Sequence, residues 1–490
     1  MNILLVSPET PDTFWSFKHV LKFVAKKSSI PPLGLLTVAA MLPKEWNLRL
    51  VDKNVSRLRD EDLRWADYVM ISAMIVHKES VHQIVARCKT HGKTVIAGGP
   101  LFTTGYESFP DIQHFVLGEA EEIMPQVVAD MTSGNLKPIY RASGWPSLAQ
   151  TPIPRWDLID LNHYVTMSVQ FSRGCPFDCE FCDIIVMNGR VPRTKSPAQL
   201  IAELESLRQR GWREMVFIVD DNFIGDKRRT RALLREMIAW RNASKAEMGF
   251  LTEASINLAD DAELCALMVE AGFTKVFVGI ETPSAESLEE CRKVQNRRDL
   301  VTAVHTLQQR GLEVMGGFIV GFDSDRDDIF ARQFEFIQRS GVVTAMVGLL
   351  NALPQTRLYK RLKAEGRLEA ETTGNNTVAA LNFKPKLNRE FLQTGYRDLM
   401  RRLYEPRTYY QRVRTFLKNH QRTDAPRLRL SGADFMAFLK SFWLLGIWYR
   451  GRVAYWRFFW STLLRRPHQF RRAIEFAILG YHFRRIAQQC

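Results

Sequence analysis

Met167–Ser172 reads as a short strand, and Cys175-Pro-Phe-Asp-Cys179-Glu-Phe-Cys182 follows it directly. Three thiolates at this spacing can wrap one corner of a cubane, binding three of the four irons of a [4Fe–4S] cluster. The fourth iron is then left for an exogenous ligand. A structural zinc site would want four closed ligands, and no fourth Cys or His lies near in sequence. The other cysteines, Cys88, Cys265, Cys291 and Cys490, are scattered. Buried free Cys behaves as a small hydrophobe, so they are assigned no role. This is ligand spacing in a reducing compartment, not a disulfide framework.

Downstream of the triplet the strand pattern repeats at Met215–Asp220, Gly249–Ala254, Lys275–Ile280, Glu313–Val320 and Ala345–Leu350, with helical stretches such as Pro197–Arg210 and Arg228–Trp240 between. Six β/α units of this length predict a partial (β/α)6 barrel with its chemistry at the C-terminal strand ends. Upstream, apolar runs at Asn2–Val6, Leu48–Val51, Tyr68–Ile71, Thr94–Ala97 and Phe115–Leu117 alternate with helices such as Leu33–Leu42 and Lys78–His91. That rhythm predicts a doubly wound parallel sheet whose ligands sit beyond the carboxyl ends of its strands. These ends read Ser7-Pro8-Glu9, Ser72-Ala73-Met74, Gly98-Gly99-Pro100 and Gly118-Glu119. Gly98 and Gly99 would let backbone approach a flat, bulky ligand. Pro146, Pro152 and Pro154 mark a linker. The α/β chain divides into residues 1–145, 146–370 and 371–490, the last part helical, basic and aromatic.

Composition sharpens this division. The 490 residues carry 68 Lys+Arg against 53 Asp+Glu and are 46% hydrophobic, which excludes wholesale disorder. Residues 391–490 hold 20 Lys+Arg and 5 Asp+Glu, so the excess positive charge lies there alone. MNILLVSPET lacks a secretory n-region. No run of 18 apolar residues occurs, and the chain reads as cytoplasmic.

The Cys spacing, with an aromatic before the last Cys, resembles the CxxxCxΦC signature of radical S-adenosylmethionine (SAM) enzymes over roughly residues 160–360. The resemblance implies that the open iron chelates the SAM amino and carboxylate groups and that reduction yields a 5′-deoxyadenosyl radical. Asp220-Asp221-Asn222 stands where the family has Gly-Gly-Glu, a departure from its contact to the SAM amino group. Glu253 and Glu281 end strands where the family places polar contacts to SAM. Gly317-Phe-Ile319-Val-Gly321 looks like the GxIxG segment that meets the adenine.

The N-terminal sheet resembles the cobalamin-binding domain of one large radical SAM class. Ser72-Ala73-Met74 corresponds to its SxL, Gly98-Gly99 to its GG, and Pro31-Pro32-Leu33-Gly34-Leu35 to the PPLGL that begins its first helix. The DxHxxG motif does not occur, so bound cobalamin is expected without a histidine lower ligand. His19, His77, His82 and His91 read as surface or helix residues. The class suggests a methylase using two SAM molecules, one to methylate cobalamin and one to open an unactivated C–H bond. The whole chain, including Leu403-Tyr404-Glu405-Pro406-Arg407 and Tyr409-Tyr410, looks most like hopanoid C-2 methylases and their relatives. Alternatives on the same scaffold are an oxidative cyclase, a tetrapyrrole side-chain methylase and an RNA-modifying enzyme.

Asp434–Gln488 combines Trp443, Trp448, Trp456 and Trp460 with arginine pairs. Aromatics beside arginines suit the headgroup boundary of an anionic membrane, so peripheral contact at the inner membrane face is one expectation. A helical cap that buries the aromatics and solvates the arginines is the other. Nucleic acid is disfavoured, since no RNA-binding motif occurs. A reductant such as flavodoxin or ferredoxin is implied.

Overall fold

The computed structural model describes residues 1–421 and 432–490, without the side chains of Ala433 and Asp434, so the start of the Asp434–Gln488 stretch lies outside the described side chains. Its first sheet contains β1 (Asn2–Ser7), β2 (Asn47–Asp52), β3 (Tyr68–Ser72), β4 (Thr94–Gly98), β5 (His114–Leu117) and β6 (Ile139–Arg141). All pair in parallel, in the order β2-β1-β3-β4-β5-β6. The central strands are apolar along their length because helices cover both faces. Leu33–Met41 and Met124–Ser133 pack on one face, and Lys78–Thr90 and Pro100–Gly105 on the other. The strand order reverses between β1 and β3, which puts the ligand crevice beyond Ser7 and Ser72. The sequence reading missed β6, a short edge strand in a segment rich in turn residues. A short helix, Lys18–Val24, also precedes the one begun by Pro31-Pro32.

The second sheet begins with β7 (Met167–Val169), after which β8 (Ser172–Arg173) and β9 (Arg193–Thr194) form a separate short antiparallel pair. It continues through β10 (Met215–Ile218), β11 (Gly249–Glu253), β12 (Phe273–Glu281), β13 (Glu313–Val320) and β14 (Ala345–Leu349). Six parallel strands in the order β14-β13-β12-β11-β10-β7 form an open barrel. The expected single strand Met167–Ser172 is broken because Asp220 draws Phe171 and Ser172 away from the ladder. Its carboxylate accepts the Phe171 N–H at 2.7 Å, the Ser172 N–H at 2.9 Å and the Ser172 hydroxyl at 2.6 Å.

The helices Arg389–Tyr404, Pro406–Asn419 and Phe470–Ala487 cap the barrel. Tyr404 Oη donates to the carbonyl of Ala345 on β14 (2.5 Å). Glu475 pairs with Lys275, which lies 3.6 Å from Glu313 near the start of β12 and β13. The loop Asp12–Phe17 is gripped between barrel and cap, with Phe14 against Phe483 (6.0 Å) and His482 Nε2 3.2 Å from the Phe14 carbonyl. The arginines of this region are not all solvated. Arg412 is fully buried, donating to the carbonyls of Leu403 and Val343 and to Gln338. Among the described residues no helix is long and apolar enough to cross a membrane.

Candidate active site

The cysteine loop leaves the end of the first barrel strand under tight control. Asp221 Oδ2 accepts the Gly174 N–H and the Asn188 amide, both at 2.8 Å, and Cys175 N–H bonds the Gly189 carbonyl. Two side-chain amides are aimed at sulfur. Asn222 Nδ2 lies 3.8 Å from Cys175 Sγ, and Gln295 Nε2 lies 3.7 Å from Cys179 Sγ. Burial pushes the thiols of Cys175 and Cys182 up, so bare thiolates are disfavoured and a bound cation would restore them. Gln295 keeps one buried oxygen without a partner. Among the described residues no three His, Cys, Asp or Glu converge on a single ion. A cluster differs from one ion in offering each thiolate its own iron. Three free thiols in one loop, two of them supported by side-chain amides, fit that group.

Lys293 stands beside this loop. Burial opposes its charge, but Glu281 and then Cys179 outweigh burial and hold it above the ordinary lysine range. Its Nζ donates to Glu281 Oε1 at 2.6 Å. Glu281 adopts φ 65°, a left-handed conformation costly for a residue with a Cβ, which turns its carboxylate onto Lys293. The Glu281 predicted for SAM thus already holds a cation.

Of the other predicted SAM residues, Asp220 has both oxygens occupied by Phe171 and Ser172; burial still pushes its carboxyl up to about 7. Its geometry is that of a strand tie, not of a free ligand to an amino group. Glu253 is different. It ends β11 with no side-chain hydrogen bond among the described residues, and burial, with Asp221 and Asp220 adding, pushes its carboxyl up to about 8. Gly317 and Ile319 lie on β13; Gly317 is paired to both β12 and β14, and Ile319 to β14. A Cβ on Gly317 would stand 2.8 Å from the Phe277 ring. That ring meets Trp15 at 5.0 Å, and Trp15 stacks on Phe217 at 5.9 Å. The sequence reading missed Trp15, because nothing in a loop after β1 marks it as lining another domain's barrel.

On the first sheet Ser72 ends β3 at the switch point, its hydroxyl without a hydrogen-bond partner among the described residues. Gly98 and Gly99, expected to admit the approach of a ligand, also serve the packing of the sheet. Gly99 has φ +92°, and a Cβ there would stand 2.7 Å from Ser72 Oγ, while one on Gly98 would stand 3.1 Å from the Val116 carbonyl. These glycines let neighbouring strand ends close on each other. Gly34 also lies beside Ser72 Oγ, at 3.8 Å from its own would-be Cβ. A free hydroxyl at the switch point, walled by glycines, is compatible with the polar tail of a large cofactor. His77 and His19 lie in short helices and are buried there. His77 Nδ1 accepts the Met74 N–H and Nε2 lies 3.1 Å from Thr10 Oγ1, while burial pushes it down to about 4. It is neutral and fully engaged.

The strand ends of the two sheets meet. Arg173, two residues before Cys175, reaches Glu119 at 2.6 Å and Glu121 at 2.8 Å, just beyond β5. Arg193 also pairs with Glu119 (2.5 Å), and Trp145 Nε1 donates to the Met187 carbonyl (3.0 Å). From the other side, Glu371 takes Lys78 Nζ, and Thr377 Oγ1 donates to the Asp12 carbonyl (3.5 Å).

Residues 24–128 match the B12 binding domain, 169–337 the radical SAM superfamily and 356–490 a domain of unknown function (DUF4070). An uncharacterized methyltransferase of Synechocystis sp. is 42% identical over 99% of this chain and 91% of its own. The hopanoid C-2 methylase of Rhodopseudomonas palustris is 32% identical over 95% of this chain and 90% of its own. The radical SAM methyltransferase TsrM of Kitasatospora setae, solved with cobalamin and a [4Fe–4S] cluster, superposes with a TM-score of 0.61. It is 16% identical over 98% of this chain and 99% of that one, which is a likeness of fold.

Proposed function

We propose that this chain, which belongs to the cobalamin-dependent radical SAM methyltransferases, methylates an unactivated carbon of a lipid-like substrate of the hopanoid type. Its cofactors are a [4Fe–4S] cluster, SAM and cobalamin. The observation that carries the substrate reading is the relationship to the Rhodopseudomonas hopanoid C-2 methylase. It runs through all three parts of the chain, the basic aromatic third part included.

Cys175, Cys179 and Cys182 would hold the cluster, and Ser72 with its glycine neighbours would face cobalamin. When bound, these groups supply the electron that cleaves SAM and the carrier for the methyl group. Asn222 and Gln295 orient two of the sulfurs through their amides, and Lys293 offsets the negative charge gathered there. Glu253 is left as the acceptor for SAM's positive charge. Asp220 fixes the loop, and Gly317 and Ile319 present a flat wall. Trp15, Phe217 and Phe277 exclude water and offer ring faces to a polycyclic hydrocarbon. That suits a carbon which no base could ionise. The division at residues 145/146 and 370/371, a flavodoxin- or ferredoxin-type reductant and a peripheral place at the inner membrane face complete the reading.

The test is expression in a bacterium that makes hopanoids without the added methyl, fed methyl-deuterated methionine. The expected product is a hopanoid one labelled methyl heavier. Deuterated SAM consumption and 5′-deoxyadenosine without any methylated lipid would discard the substrate class.

A further inference from the structure

Eighteen large apolar side chains are exposed among the described residues, and ten of them fall between residues 435 and 464. The most open are Trp448 at 78%, Leu464 at 77%, Phe435 at 63% and Trp443 at 60%. The same thirty positions contain Lys440, Arg450, Arg452 and Arg457 and no Asp or Glu. The helices concerned, Gly432–Trp443 and Arg452–Arg465, are anchored by other residues. Ala437, Tyr455, Phe458 and Phe459 are buried against the cap. The outward rings are therefore not needed to hold the helices in place. They join one another: Phe442 meets Trp456 at 4.9 Å, and Trp456 stacks on Trp460 at 6.4 Å. Beside them an apolar groove of about 450 Å³ runs against the helix Lys18–Val24, lined by Phe23, Met436, Leu439, Trp443 and Trp448, with Lys440 at its margin.

Soluble surfaces rarely gather this much apolar area without a partner. The cations decide which partner. A second copy seated on the same face would bring the same arginines together with no acid to meet them. A surface of phosphates above hydrocarbon answers both features at once. We propose that the face formed by residues 435–464 docks peripherally on an anionic lipid bilayer. Its indoles and leucines enter the boundary between headgroups and acyl chains, and Arg450, Arg452 and Arg457 lie over the phosphates. This deepens the peripheral position named above and does not depend on a hopanoid substrate.

The experiment uses the full, cofactor-loaded chain and hopanoid-free vesicles of phosphatidylcholine with or without roughly one-third phosphatidylglycerol. Co-sedimentation is expected with the anionic vesicles, weakening as salt rises from roughly 0.05 M to 0.5 M. W443S/W448S/W460S should abolish it while keeping wild-type iron and cobalamin content. R450Q/R452Q/R457Q should weaken it about hundredfold, at about fivefold per cation. No binding to anionic vesicles, or undiminished binding by the tryptophan variant, overturns the proposal. So does a wild-type dimer that the tryptophan variant makes monomeric. A labelled methyl-hopanoid without vesicle binding would remove only the docking face; vesicle binding without that product would remove only the substrate.

Discussion

Replacing Glu253 by Gln asks whether the barrel interior keeps a carboxylate for a cationic ligand. Burial lifts this carboxyl to about 8, Asp221 and Asp220 add to it, and Lys293 opposes it. In the ligand-free protein the group is therefore mostly protonated below pH 8. A positively charged ligand that needs the carboxylate must expel that proton. Its apparent affinity then falls about tenfold for each pH unit below the pKa, or roughly fiftyfold between pH 8 and pH 6. SAM has a titrating amine of its own, but the ratio of variant to wild-type Kd cancels it. The assay is anaerobic equilibrium dialysis of labelled SAM with the unreduced, iron-loaded protein. The ratio is expected to be largest at pH 8 and to shrink by roughly fiftyfold at pH 6. The same group acts on stability. Unfolded, it titrates near 4.5; because the folded value is higher, the folded state holds the extra proton between the two values. Stability of the ligand-free protein should fall as pH rises from about 4.5 to about 8; E253Q should remove Glu253's share of that fall and leave the share of Asp220, whose carboxyl burial lifts to about 7. A Kd ratio that does not move with pH would refute the role given to Glu253.

Arg173→Met leaves Glu121, at 2% side-chain exposure, without its cation, and leaves Glu119, at 7%, with Arg193 alone. The loss should be about 3–5 kcal/mol in urea unfolding, and an unchanged midpoint would show that the pair does not join the sheets. Gly99→Ala forces a Cβ to 2.7 Å from Ser72 Oγ at φ +92°. It should cost about 1–3 kcal/mol and lower cobalamin retained on gel filtration, read by visible absorption. S72A in the same chain should recover the part due to overlap but not the part due to φ.

The strands were legible because both sheets are covered on both faces, so each is a nearly unbroken apolar run between turns. Bounds such as Glu313–Val320 follow directly from the residues. The cysteine loop was legible because its ligands are close in sequence. Its supports were not. Gln295 and Lys293 reach the sulfurs from more than a hundred residues away, and only folding brings them there. Asp220 was expected at SAM because Asp220-Asp221-Asn222 stands where the family has Gly-Gly-Glu, and its hold on Phe171 and Ser172 has no sequence mark. Edge strand β6 lacks the apolar length that identifies a covered strand. The third region was legible as helical, but amphipathic spacing could not tell that Arg412 goes inside while Trp448 stays out.

The grip of helix Phe470–Ala487 on the loop Asp12–Phe17 bears on biogenesis. Ribosomes deliver residues 12–17 first and residues 470–487 only after every barrel strand has emerged. Until then Phe14 lacks Phe483, and Lys275 lacks Glu475. The barrel must therefore pass through a nascent stage with an open underside, when its greasy lining is exposed to chaperones. Premature stop codons between the end of β14 and residue 470 should yield chains that aggregate despite carrying every cofactor-contacting residue proposed above.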